Sequence, residues 1–257
     1  MRILIVNPNT SATMTETIGK AARAVAAPGT EIIAVNPADG PVSIEGYYDE
    51  AFSVPGLLAE IAKGEALGVS AHIIACFDDT GLEAARCLAS APVIGIGEAA
   101  FHVASLVAYR FAVITTLSRS IAAIETNLMK YALAGRCAKV RACEVPVLSL
   151  DDPASNASAQ IGAEIERAKH DDRAEAIVLG CAGMADLAAR LTEQHGLPVI
   201  DGVTSAVKLA EACSALGLKT SKIGAYALPR PKPYLGAFAG FAPGQTSNNR
   251  FKKGISE

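Results

Sequence analysis

The chain has no tryptophan, and aromatic residues make up only 5% of it. With 51% hydrophobic residues, its core must be filled by Ala, Val, Ile and Leu, with Gly at close contacts. That composition belongs to α/β proteins with buried parallel strands. No stretch approaches the roughly 20 apolar residues that span a bilayer. The first apolar run, Ile3–Val6, is too short for the core of a signal peptide, so a cytoplasmic protein is expected. Charge of one sign is also missing. The net charge of -3 supplies no basic field for nucleic acid, and no basic amphipathic stretch suits a membrane surface.

Familiar motifs are absent too. No two of the six cysteines form a CxxC pair, and the spacing of Cys137 and Cys143 fits no common zinc pattern. Free thiols and no metal are expected. There is no G-x-x-x-x-G-K-[ST] loop, and the G-x-G at Gly95–Gly97 lacks a third glycine in register, so no nucleotide cofactor is expected. No G-x-S-x-G elbow occurs. His72, His102, His170 and His195 lie near neither of the cysteines singled out below, and His72 sits inside a strand as a packing residue.

What remains is a pair of cysteines. The apolar run His72–Ala75 delivers Cys76 to a strand tip, followed by the polar turn Asp78, Asp79, Thr80, Gly81 and the helical run Leu82–Leu88. Later, Ala176–Gly180 runs into Cys181, a small-residue turn and another helix. A lone cysteine is usually a small hydrophobe, and Cys87, Cys137, Cys143 and Cys213 are read that way. Cys76 and Cys181 differ because each ends an apolar strand before a helix, where a thiol's pKa can be lowered.

The pattern along the chain is strand and helix in alternation. Expected strands are Arg2–Val6, Glu31–Val35, the segment before Cys76, Val93–Ile96, Phe111–Thr115, Lys139–Val145, Ala176–Gly180, Pro198–Ile200 and a last short one at Ile223–Leu228. Expected helices are Met14–Ala27, Ala51–Leu67, Leu82–Ser90, Glu98–Tyr109, Arg119–Leu133 capped by Ser118, Ala159–His170, Met184–Glu193 and Val203–Leu216. The loop Asn36–Asp49, with Ile44, Tyr47 and Tyr48, is too long and too apolar for a mere connection. Asp151–Ser158 reads as a polar loop, and the final ten or so residues as disordered.

Such alternation implies parallel sheets flanked by helices. The chain also repeats itself. Arg2–Val6 resembles Arg110–Ile114, Cys76 matches Cys181, and Pro92-Val93-Ile94 matches Pro198-Val199-Ile200, all about 105–108 residues apart. Two pseudo-symmetric α/β lobes of Rossmann or flavodoxin type, with the active site between them, follow as the expected fold. Ligands in such sheets bind beyond the carboxyl ends of strands. The turns at Asn7–Ser11, Cys76–Thr80, Thr115–Ser118 and Cys181–Gly183 could then converge. Two thiols on opposite faces of one carbon can act as base and acid and invert its configuration without a cofactor. Asn9 and the hydroxyls of Thr115 and Thr116 are either turn chemistry or contacts for a polar, uncharged ligand. Asp78 and Asp79 are either a solvated cap or groups that bind substrate and tune Cys76, whose anion a carboxylate would disfavour.

The NPNTS opening, ACFDDTGL, the threonine pair in VITTLS, LGCAGM and PVIDGV resemble the hydantoin racemases of the aspartate/glutamate racemase superfamily. The resemblance spans roughly residues 1–228. It implies cofactor-independent racemisation at C5 of 5-monosubstituted hydantoins by Cys76 and Cys181 through an enolate, an isomerase with a small-molecule substrate, and a homo-oligomer. It also implies that helices following the cysteine-bearing segments cross to the opposite lobe. The expected division is 1–105 with part of 203–228 as the first lobe, 106–202 as the second, and 229–257 as a partly disordered tail. Glutamate racemases follow their two cysteines with Asn-Thr and Thr-His; here Phe77-Asp78 and Ala182-Gly183 stand in those places. That favours a neutral ring, bound by backbone N–H groups, over a zwitterion. Phe77 and the loop at Ile44–Tyr48 would contact the C5 substituent. Allantoin racemase is the nearest alternative and an aspartate/glutamate-type amino-acid racemase a weaker one. A two-lobed small-molecule binder, with both cysteines as packing residues, is the non-enzyme alternative.

Overall fold

The computed structural model describes residues 1–151 and 155–243. Most of the Asp151–Ser158 loop's centre and the last ten residues of the tail lie outside the described residues. Among the described residues eight strands form two sheets of four. The first contains β1 (Arg2–Val6), β2 (Glu31–Val35), β3 (Ala71–Ile74) and β4 (Val93–Gly95) in the order β2-β1-β3-β4. The second contains β5 (Phe111–Thr115), β6 (Cys137–Ala142), β7 (Ala176–Gly180) and β8 (Val199–Asp201) in the order β6-β5-β7-β8. Every pairing is parallel. The second order is the first shifted by four strands, the pseudo-symmetry expected from the repeated segments.

The central strands read as continuous apolar runs because both of their faces are covered. Ile3–Val6 and all of β3, β5 and β7 are buried. In each sheet the chain winds one way from the first strand to the second and returns on the other side to the third. The switch points therefore lie between β1 and β3 and between β5 and β7. Clefts form at the carboxyl ends of such strands, and those four ends carry Asn7, Cys76, Thr116 and Cys181.

The helices are α1 (Ala12–Val25), α2 (Tyr47–Leu67), α3 (Leu82–Leu88), α4 (Ile96–Val107), α5 (Ile121–Lys130), α6 (Ala157–His170) and α7 (Ala188–His195) between strands, and α8 (Gly202–Ala215) after β8. Ser11 caps α1 by accepting from the Met14 N–H at 3.2 Å, and Asp201 caps α8 by accepting from the Thr204 N–H at 2.8 Å. Two helices exchange between the sheets. α4, which follows β4, packs on β7 and β8, while α8, which follows β8, packs on β3 and β4; the two also pack on each other. Phe101 of α4 is fully buried and stacks on Phe111 of β5, with ring centroids 6.0 Å apart. Close approach of the two helix starts needs Gly202, where a Cβ would lie 2.5 Å from the Ile96 carbonyl oxygen.

Of the helices that follow the cysteine-bearing segments, α8 lies in the part of 203–228 expected with the first lobe and α4 crosses to the second sheet, whereas α3 does not cross. α3 stays with α2 and β4. It has only seven residues, of which Leu82 and Ala85 are buried, whereas α4 buries a face of Ile96, Ala99, Ala100, Phe101 and Ala104. Other boundaries differ for local reasons. α2 starts at Tyr47 rather than Ala51, because Gly46 adopts φ 137 and the Asp49 carboxylate accepts the Glu45 N–H at 3.0 Å. The expected helix from Arg119 is a 3-10 turn, Ser118–Ser120, followed by α5, and Ser118 makes no cap. The expected helix from Met184 is likewise a 3-10 turn, Ala182–Leu187, followed by α7. β6 runs Cys137–Ala142, with a register shift opposite Phe111 and Ala112. The expected strand at Ile223–Leu228 is a 3-10 turn, Gly224–Tyr226, with Ile223 87% exposed. The preceding residues are held by Thr220 and Lys222, which bond backbone carbonyls of Ser90, Ala91, Arg86 and Cys87.

Candidate active site

One cleft gathers the ends of β1, β3, β5 and β7. Cys76 and Cys181 both line it, with Asn7, Asn9, Phe77, Asp78, Thr116 and Ala182 from the strand ends and Ile44 from the long loop. Its empty space, with the open solvent of its mouth included, is about 410 Å³.

Around β1 the amides are committed to the turn. Asn7 Nδ2 donates to Asn9 Oδ1 at 2.8 Å and to Thr15 Oγ1 at 3.1 Å, and Asn9 Oδ1 also accepts the Ser11 N–H at 2.9 Å. The Asn7 amide is thereby spent within the turn, while Asn9 is held through its oxygen and its Nδ2 faces the Met14 sulfur at 3.4 Å. Beyond β3, the Asp79 N–H bonds the Cys76 carbonyl at 3.0 Å, closing a tight turn that presents the Cys76 side chain half-buried in the cleft. Its sulfur shares a hydrogen bond with Thr80 Oγ1 at 3.4 Å. Phe77 lines the cleft and packs edge-on against Phe101, with centroids 5.3 Å apart. Cys181 sits in extended backbone at the head of the Ala182–Leu187 turn, which closes with the Met184 N–H on its carbonyl at 3.1 Å.

Burial pushes the Cys76 thiol far above the ordinary thiol range, and the Asp78 carboxylate adds to this, with Thr80 opposing. Asp78 is itself pushed up to about 7, by burial first and then by the Glu50 and Asp79 carboxylates. Burial also raises Glu50, whose Oε1 is buried with no hydrogen-bond partner. Near neutral pH the first cysteine is thus a thiol, beside an acidic group that is partly protonated.

Of the expected site residues, Asn9, Ile44, Phe77, Asp78, Thr116 and Ala182 line the cleft with both cysteines, whereas Asp79, Thr115 and Gly183 do not. Asp79 is turned into the protein, against the start of α4. The Thr115 hydroxyl donates to the Gly180 carbonyl at 3.2 Å, joining β5 to β7. Gly183 is buried against Leu150, which a Cβ there would approach to 3.1 Å. Met14, Ser120 and Val147 also line the cleft. Met14 was within reach of sequence reasoning, since it lies one turn past the Ser11 cap; nothing local marks Val147. Of the other cysteines only Cys143 is buried, and Cys87, Cys137 and Cys213 are half-buried. His72 is fully buried and bonds Glu65 at 2.8 Å, as a packed strand residue. Among the described residues no group of His, Cys, Asp and Glu is arranged to hold a metal ion, and no described helix is long and apolar enough to cross a membrane.

A family model described as Asp/Glu/Hydantoin racemase matches residues 3–210. A hydantoin racemase from Rhizobium meliloti is 52% identical over 236 residues, covering 92% of this chain and 98% of its own. The structure of an allantoin racemase from Klebsiella pneumoniae superposes with a TM-score of 0.92 at 51% identity, covering 95% of this chain and 99% of that one. A glutamate racemase from Francisella tularensis, at 16% identity and a TM-score of 0.62 over 90% of this chain and 84% of that one, shares the fold.

Proposed function

The chain belongs to the Asp/Glu/hydantoin racemase family, and from that premise we propose that it racemises 5-monosubstituted hydantoins at C5, with Cys76 and Cys181 as the two proton-transfer groups. The observation that carries this reading is that both cysteines, each at the carboxyl end of the third strand of its sheet, line one cleft. In the proposed reaction one sulfur, as thiolate, takes the C5 proton. The C5–H electron pair moves toward the C4 carbonyl, whose oxygen becomes an enolate held by backbone N–H groups of the two turns. The other thiol then delivers its proton to the opposite face of C5. Each turnover leaves the two sulfurs with exchanged protonation states, so no cofactor is consumed.

Asn7 and Asn9 are held in their own turn, and among the described residues no charged side chain other than Asp78 lines the cleft. A neutral ring suits this lining better than an amino-acid zwitterion. Allantoin is the second reading, supported by the allantoin racemase likeness and by Asp78, whose carboxyl could bond a ureido substituent. We further propose that the lobes comprise residues 1–95 with α8, and β5 to β8 with α4. This moves α4 out of the 1–105 unit. A homo-oligomer in the cytoplasm completes the proposal.

The test is polarimetry on single enantiomers of a 5-alkylhydantoin and of allantoin. Rotation should decay to zero above the enzyme-free rate, and the ratio of kcat/KM values decides between the two substrates. No decay with either would overturn the reading.

A further inference from the structure

Asp79 is buried, has the left-handed backbone angle φ 52 unusual outside glycine, and faces away from the cleft. Three donors converge on its carboxylate. The Gly97 N–H donates to Oδ1 at 2.9 Å, while the Glu98 N–H at 2.8 Å and the Tyr131 hydroxyl at 2.7 Å donate to Oδ2. Asp79 thus caps α4 from outside that helix, from the turn that carries Cys76. The fit requires glycine on the facing side. A Cβ at Gly95 would lie 2.1 Å from Asp79 Oδ1, and one at Gly97 would lie 2.3 Å from the Phe77 carbonyl oxygen. This accounts for the G-x-G that fits no nucleotide loop. A second tie runs alongside: Asn127 of α5 donates through Nδ2 to the Asp78 carbonyl at 2.8 Å.

Tyr131 directly follows α5, α5 follows β5, and α4 packs on β7 and β8. Tyr131 and Asn127 are therefore attached to the sheet that carries Cys181, and the Gly97 and Glu98 amides stand where α4 leaves β4 to pack on that sheet. We propose that Asp79, Tyr131 and Asn127 are positioning residues that fix the Cys76 turn to the opposite half of the molecule and so set where the first thiol stands relative to the second. The inference rests on the reading of Cys76 as a proton-transfer group. Asparagine would not replace Asp79, since its amide would present a donor where the Glu98 N–H and Tyr131 hydroxyl also donate.

The carboxylate is the form that accepts all three bonds, so the clamp is sensitive to pH. Burial pushes Asp79 up to about 7, against the opposing pull of the Tyr131 hydroxyl and the two amides. The charges facing it are Glu98 on α4 and Asp78 in its own turn, with Glu50 of α2 beyond Asp78; Arg86 of α3 acts on Tyr131. Losing the tyrosine bond pushes Asp79 further up, so the clamp then releases at a higher pH.

The test compares the wild-type protein with Tyr131→Phe, which keeps the ring, and with Asn127→Ala. On a substrate that the wild type racemises, Tyr131→Phe should lower kcat by about 10-fold or more in both directions with KM within about 3-fold, and move the acid limb of the pH profile upward. Asn127→Ala should lower kcat without moving that limb. The substrate-free readout is the rate of iodoacetamide labelling at Cys76 relative to Cys181, followed by peptide mass spectrometry between pH 6 and 9. Tyr131→Phe should change that ratio and its pH dependence. If the ratio changes while no substrate is racemised by any form, the clamp stands and the racemase reading fails. If Tyr131→Phe is folded by circular dichroism yet leaves both the labelling ratio and the acid limb as in the wild type, the positioning role is wrong.

Discussion

Replacing Asp78 by Asn should stabilise the protein at alkaline pH and leave it nearly unchanged at acidic pH. Asp78 is pushed from 3.8 to about 7, mainly by burial and then by Glu50 and Asp79. In the unfolded chain it ionises near 3.9. Between those values the folded state holds a proton that the unfolded state has released. Its contribution to stability is therefore intact below about pH 4, falls as pH rises, and levels off above about 7. Unfolding free energy should drop by about 1.4 kcal/mol per pH unit for this one carboxyl over that window. The full shift amounts to about 4 kcal/mol, less where Glu50 or Asp79 takes the proton in its place. Asn has the shape of the protonated acid and no charge to bury. Urea unfolding of both proteins at pH 5, 6, 7 and 8 is the assay, and the difference between them removes the titration of groups not coupled to Asp78. The Asn variant should gain on the wild type steadily from pH 5 to 7, by more than about 1 kcal/mol at pH 8. A constant difference across that range, or a less stable variant at pH 8, would refute the burial of an ionisable carboxyl at this position.

Three further outcomes follow from packing and capping. Phe101→Ala should cost about 3–5 kcal/mol in urea unfolding, because the ring is fully buried where α4 crosses to β5 and also backs Phe77. Gly95→Ala should destabilise by about 1–3 kcal/mol, as overpacking does, and also lower kcat, since the added methyl meets the Asp79 carboxylate; unchanged kcat would separate the glycine from the cysteine turn. Asp201→Ala should cost about 1 kcal/mol through loss of the α8 cap, with kcat measured at 25 °C nearly unchanged.

Much of this was legible in the sequence because it is local. The apolar runs at Ile3–Val6, Ile73–Ile74, Phe111–Ile114 and Ala176–Leu179 mark strands buried on both faces, and their recurrence in phase foretells two sheets of the same order. Strand ends in polar or small-residue turns foretell where a cleft forms, so both cysteines and Asn9, Phe77, Asp78, Thr116 and Ala182 could be placed there. What was not legible depends on partners distant in sequence. The helices that exchange are chosen by how much face each can bury, and α3 is too short. The apolar segment at Ile223–Leu228 resembles a strand but turns at Gly224–Tyr226 and joins neither sheet. Asp79 looks the equal of Asp78, and only Gly97, Glu98 and Tyr131, far along the chain, turn it inward. Val147 reaches the cleft through a loop whose Val147 N–H is tied to the Glu45 carboxylate at 3.1 Å, a contact across 102 residues.

The most direct measurement of two-thiol inversion is deuterium entry at C5 during turnover in D₂O, followed by NMR and chiral chromatography for the wild type, Cys76→Ser and Cys181→Ser. In the wild type, each enantiomer should convert to the other with deuterium entering C5 of the product. Each variant should lose racemisation by several orders of magnitude, and any exchange that survives should be confined to one enantiomer, a different one for each variant. Racemisation at the native rate in either variant would contradict the assignment of both cysteines.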